Sequence, residues 1–144
     1  MSSKPETILS EFFDVYALAV VDGDAERIAG AYSSTYMEAG PSSVTAYDVD
    51  ESYKKALRDK STAMREQFGL SKAEIDIRNV REFAPSHFVV DGEWTMCFGQ
   101  SNKDPIKSTF KISYVVRLEK EKPAILLYVS HEDEGAVMKR DGVI

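Results

Sequence analysis

Asp14–Pro41, "DVYALAVVDGDAERIAGAYSSTYMEAGP", is the stretch on which the fold turns. Its first part extends an apolar stripe that begins upstream. Ile8, Leu9, Phe12, Phe13, Tyr16, Ala17 and Val20 recur at the spacing of one helical face. Pro5 suits a first helical turn, where its missing N–H costs nothing, so a helix is predicted from Pro5 to Val21. Gly23 suits the left-handed conformation that ends such a helix, and Asp24 can cap a short second one running through Ile28 and Tyr32. "SSTYMEAGP" then reads as a short strand closed by Gly40-Pro41. Glu38 lies on that strand with two open fates: a general base facing a cavity, or a solvated surface carboxylate.

Working outward, "SSVTAYDVDE" reads as an irregular crossing, with Asp48 and Glu51 spaced as a capping box for a third helix. That helix carries Tyr53, Leu57, Met64 and Phe68 on one face, charges on the other, and stops at Gly69. Beyond it the period changes to two. Ile75 and Ile77 alternate with charges until the phase slips around Asn79-Val80, as a bulge or bend would make it. Phe88, Val90, Trp94, Met96 and Phe98 share one strand face, and Phe110, Ile112, Tyr114, Val116 and Leu118 another. "EKEKP" turns the chain into a last strand, "AILLYVSH", apolar on both faces. A tail at 133–144 is expected to form one helical turn and fray.

Helices first and strands after indicate one α+β domain over residues 1–144. The expected architecture is a cone-shaped, curved, mainly antiparallel sheet wrapped around three N-terminal helices, an α+β roll. A sheet bent around a long helix leaves a conical hollow lined from both sides.

Composition narrows the function classes. A formal charge of -6 with scattered acids disfavours nucleic acid and anionic membrane, which need a basic footprint. The lone Cys97 can make no internal disulfide, and two His with one Cys give no metal-ligand spacing. No P-loop, dinucleotide fingerprint or nucleophile elbow is present, so neither metal nor cofactor is expected. The start, "MSSKPETILSEFF", has neither a leader's charge pattern nor its apolar run, and a reduced cytoplasmic setting is the expectation.

The element order and the Asp14–Pro41 stretch resemble the nuclear-transport-factor-2-like superfamily, which includes SnoaL-like cyclases and ketosteroid isomerases. The matching pattern is a helix, "x-G-D", a short helix ending in an aromatic, and a strand ending near "D-P"; "AILLYVSHED" resembles the family's last strand. The resemblance implies the cystatin-like roll, a pocket in the cone, and acid–base isomerase, cyclase or lyase chemistry without metal. It puts Tyr16 where the isomerases hold an oxyanion-binding tyrosine, and Tyr114 near their second oxyanion donor. Gly40-Pro41 stands where they carry the catalytic "D-P", so the usual base is missing. Glu38, two residues earlier on the same strand face, is the candidate to replace it.

The site expected on these grounds has Glu38 as base and Tyr16 as donor. Phe13, Tyr32, Met64, Trp94, Phe98, Tyr114 and His131 are its pocket residues. A small apolar or aromatic ligand is the expected partner. The bland alternatives stay open: aromatics at these spacings pack as core, and His131 is an ordinary strand-end residue. Asp14 and His87 read as surface, and Cys97 as a small packed residue opposite Trp94. The outer sheet face (Val89, Thr95, Cys97, Thr109, Ser113, Val115) is mildly apolar, broken by Glu93, Lys111 and Arg117, and suits a homodimer. The rival to ligand binding is a non-catalytic dimeric interaction module whose hollow is filled by its own side chains.

Overall fold

The computed structural model describes residues 4–100 and 103–144. Residues 1–3, the first of the stretch expected to carry no leader, lie outside the described residues. Helices α1 (Pro5–Asp22) and α2 (Ala25–Gly30) lead into strands β1 (Tyr32–Ala39) and β2 (Val44–Asp48), and then α3 (Glu51–Glu66). Strands β3 (Leu70–Ala84), β4 (His87–Phe98), β5 (Ile106–Glu119) and β6 (Lys122–Ser130) follow, and α4 (Glu134–Arg140) closes the chain. The sheet order is β2-β1-β6-β5-β4-β3, with β1 parallel to β6 and the other neighbours antiparallel. This is the expected α+β architecture with a curved, mainly antiparallel sheet.

The local signals around α1 act as read. Gly23 takes a left-handed φ of 68°, and its N–H returns to the Ala19 and Val20 carbonyls. Asp24 accepts from the Arg27 backbone N–H at 3.2 Å to start α2. Long-range pairing then overrides the helix pattern. The Ile125 N–H of β6 donates to the Ala31 carbonyl at 2.9 Å, and Tyr32 opens β1 rather than closing α2.

Two further expectations are corrected. The crossing after Pro41 is a real strand, β2, which pairs with β1 from Ala39↔Val44 to Thr35↔Asp48. It is a mostly exposed edge strand that turns only Tyr47 toward the core, too little burial to impose an apolar alternation. Because Asp48 is held in that ladder, the cap of α3 falls to Asp50, which accepts from the Tyr53 N–H at 2.9 Å. In contrast, the expected phase slip in β3 is present as a register shift between Ile77 and Asn79.

The apolar stripe of α1 lies on β3 and the concave sheet face, where Leu9, Phe13, Val90, Val116 and Ile125 are fully buried. Each large side chain removed from water in this way contributes about 1.5–3 kcal/mol. The tail does not fray. α4 brings Met138, with Val143 beyond it, onto Met64, Leu70 and Phe98 as a second small core, and buries Val137 on the cavity wall. Ser108, buried on β5, donates to Asp141 at 2.6 Å and ties down the end of α4. The C-terminal segment thereby forms part of the cavity wall.

On the convex face, register alignment gathers an apolar row across five strands: Ala46, Met37, Leu127, Val115 and Val89. Met37 and the neighbouring Val129 are each 43% exposed, so this row is uncovered in the single chain. Among the described residues no helix is long and apolar enough to cross a membrane.

Candidate functional site

Between the helices and the concave sheet lies a cavity of about 310 Å³. Six of the seven tyrosines line it: Tyr16, Tyr32, Tyr47, Tyr53, Tyr114 and Tyr128. The seventh, Tyr36, stacks on Tyr32 at 4.0 Å and on Tyr47 at 5.5 Å, and backs the same wall. Trp94, Phe98 and Met64 complete the apolar walls and leave the space open. Gly40, Ser43, Lys60, Glu132, Asp133 and Glu134 lie on the rest of the lining, with the charged members toward solvent.

Glu38 points into this cavity and is half-buried. It shares the inward face of β1 with Tyr36, two residues back, whose hydroxyl donates to its carboxylate. Tyr36 has one hydrogen and gives it to Glu38, so the 2.5 Å bond between Tyr36 and Tyr53 is donated by Tyr53. The result is a directed chain, Tyr53 to Tyr36 to Glu38. Tyr128 faces Glu38 across the parallel β1–β6 pairing.

The deep wall holds two more hydroxyl groups with a hydrogen to spare. Tyr16 and Tyr32 share one hydrogen bond between their oxygens, which uses one of their two hydrogens. Trp94 Nε1 donates to the Tyr114 hydroxyl at 2.8 Å, and among the described residues the Tyr114 hydrogen has no acceptor. Tyr114 is 1% exposed, so its hydrogen can only be used inside the molecule. The Tyr16–Tyr32 pair and Tyr114 thus each keep one hydrogen on this wall, donors of the kind that suit a carbonyl or developing oxyanion.

The electrostatics keep these hydroxyls protonated. Burial pushes the phenols of Tyr16, Tyr32, Tyr36, Tyr114 and Tyr128 well above their ordinary value, and the Glu38 charge adds to the rise for all but Tyr32. Tyr53, desolvated and facing Glu38, is pushed up to about 12. At the mouth, desolvation pulls the Lys60 ammonium down, but Glu134 at 3.2 Å more than offsets it and the group titrates above its usual value. Glu132 pairs with Arg140 at 2.7 Å. Asp133 accepts from the Ser42 N–H at 3.2 Å and stands 3.5 Å from where a Cβ on Gly40 would sit. A second carboxylate thus occupies the space left by the missing side chain at position 40.

Of the residues expected here, Glu38, Tyr16, Tyr32, Met64, Trp94, Phe98 and Tyr114 all line the cavity. Phe13 and His131 do not. Phe13 is fully buried beneath the wall, its ring 4.8 Å from that of Tyr114. His131 is exposed on the convex side, 2.9 Å from Ser113, which donates to Asp91 at 2.7 Å. Residues outside that expected set also line the cavity. Tyr128 was hidden by a bulge: Val116 pairs with Ile125 but Val115 with Leu127, so Leu126 slips the phase and Tyr128 turns inward. Tyr47 was hidden by the misread β2, and Lys60 by its place among ordinary surface charges. Tyr53 was read only as part of the apolar face of its helix.

No described family matches the chain by sequence, and no curated protein does either. Solved structures do match. A nuclear-transport-factor-2-like protein of unknown function from Shewanella oneidensis superposes with a TM-score of 0.67 at 12% identity, covering 90% of this chain and all (100%) of that one. A ketosteroid isomerase-like protein from Erwinia carotovora atroseptica gives 0.64 at 10% identity, with 90% and 97% covered. A Nostoc punctiforme domain of unknown function with a cystatin-like fold gives 0.66 at 15% identity, with 92% and 80% covered. At such identities the likeness speaks for the fold alone. The chain has the nuclear-transport-factor-2-like, cystatin-like fold, as the sequence resemblance implied.

Proposed function

We propose that the protein binds a small, largely apolar ligand in the tyrosine-lined cone and that Glu38 serves there as an acid–base group. The observation that carries this reading is the open cavity of about 310 Å³ with a half-buried carboxylate on its wall and two spare phenolic hydrogens at its deep end. That volume falls within the range of small-molecule sites. Glu38 accepts a proton from the ligand, Tyr16 and Tyr114 donate hydrogen bonds to the oxygen that gains charge, and the apolar walls exclude water. The reaction class supported is isomerisation, cyclisation or elimination, with the chain's own side chains as the acid–base groups.

The test is a thermal-shift screen of neutral fused-ring ketones. A ligand at about 100 times its Kd stabilises the fold by about 2.7 kcal/mol. No shift with any member of the set removes the binding reading. Where turnover of a binder is detected, Glu38→Gln is expected to abolish it, and an unchanged rate removes Glu38 from the chemistry.

A second reading rests on the convex face. The uncovered apolar row from Ala46 to Val89 fits pairing with a second copy, sheet against sheet, in which case the protein acts as a dimeric interaction module. The two readings use opposite faces of one sheet and do not exclude each other.

A further inference from the structure

Glu38 raises a question that an apolar ligand alone does not answer. It is a half-buried carboxylate on the cavity wall, yet among the described residues it forms no ion pair. The cationic side chain on the cavity wall, Lys60, is already engaged by Glu134. A carboxylate offers about four acceptor positions; Tyr36 fills one of them and the Tyr128 hydroxyl lies within reach of another, which leaves two open. Leaving such a group without a counter-charge is costly, and the cost is relieved if the ligand brings one.

The surroundings select for that charge. Tyr47 stacks on Tyr36 and meets Tyr53 edge-on at 5.6 Å, so aromatic surfaces border the space beside the carboxylate. Tyr128 closes the opposite side. Electron-rich ring faces next to a carboxylate attract alkylammonium ions and repel anions. At the mouth, Asp133, held by Ser42, adds a carboxylate that among the described residues pairs with no cation, and the chain as a whole carries a formal charge of -6, which favours the approach of cations. We infer that the cavity takes an aromatic or alicyclic amine, its ammonium seated between Glu38 and the rings of Tyr47, Tyr53 and Tyr128, and its apolar body against Trp94 and Phe98. An oxygen acceptor at the far end of such a molecule would meet the spare hydrogens of Tyr114 and of the Tyr16–Tyr32 pair. This rests on the ligand-binding reading above and names the ligand class for that same site.

The experiment compares three molecules on one frame: 2-(1-naphthyl)ethylamine, 2-(1-naphthyl)ethanol and 1-naphthylacetate, titrated calorimetrically into the full chain at neutral pH. The amine is expected to bind about ten-fold tighter than the alcohol, and the acetate weakest of the three. Glu38→Gln, checked for an unchanged circular dichroism spectrum, should bring amine and alcohol to within about two-fold of each other. Tyr47→Leu should weaken the amine more than the alcohol, which gives a second route should the Gln variant not fold. An alcohol that binds as tightly as the amine overturns the inference and leaves the cavity reading standing. A folded Gln variant that keeps the full preference also overturns it, since the cation then sits elsewhere. If none of the three binds, both readings fall together.

Discussion

Burial holds the phenols of Tyr16, Tyr32, Tyr36, Tyr53, Tyr114 and Tyr128 above the ordinary tyrosine value of 10.0, and this makes the interior sensitive to alkali. In the unfolded chain these groups lose their protons near that value; in the fold they keep them. Above it the native state therefore binds more protons than the unfolded one, and stability falls as pH rises. The contribution is complete below pH 10.0 and is lost progressively above it, with Tyr53, at about 12, among the earliest to yield. In an alkaline titration, tyrosinate absorbance is expected to lag behind that of the chain in denaturant and then to rise together with loss of secondary structure. A simple titration of most tyrosines near 10 with the fold intact would contradict the burial described for them.

Element boundaries here are set by short-range chemistry wherever a cap is free to act, and by the sheet wherever it is not. Gly23 and Asp24 delimit α1 and α2 through local hydrogen bonds. At α3 two aspartates compete for the cap, and strand pairing removes Asp48 from the contest. Asp50→Ala is accordingly expected to cost about 1 kcal/mol in urea denaturation, whereas Asp48→Ala should cost less. Equal losses would mean that the cap is not confined to Asp50. The same element carries Tyr53 into the cavity three residues after the cap, so the substitution should also weaken any ligand held by that wall.

For the whole molecule, the uncovered convex row bears on assembly. Light scattering at micromolar concentration is expected to give twice 16.1 kDa, and Leu127→Glu, which sets a charge in the middle of the row, should give the single chain with an unaltered fold. A monomer in the unaltered protein removes the dimer. The cavity, on the concave side, belongs to each chain separately, so ligand binding is expected to survive in the monomeric variant. The place of α4 in the cavity wall is a second property of the whole. Val137 and Met138 line the cavity, and Met138 joins a core built from α3, β3 and β4, none of which adjoins it in sequence.

The sequence by itself determined what period and local chemistry can determine. The stripe of α1, its glycine stop and the long strands with their inward aromatics were legible, because each depends on residues a few positions apart, and Glu38 was legible as a candidate whose direction the spacing left open. Tertiary structure alone decided the rest. β2 became a strand only through pairing with β1, and the Leu126 bulge turned Tyr128 inward only because β6 must match β5 on one side and β1 on the other. His131 was carried to the convex face and α4 was folded onto the cavity wall. These outcomes depend on hydrogen bonds and apolar contacts between segments tens of residues apart, and no local spacing encodes which partner will supply them.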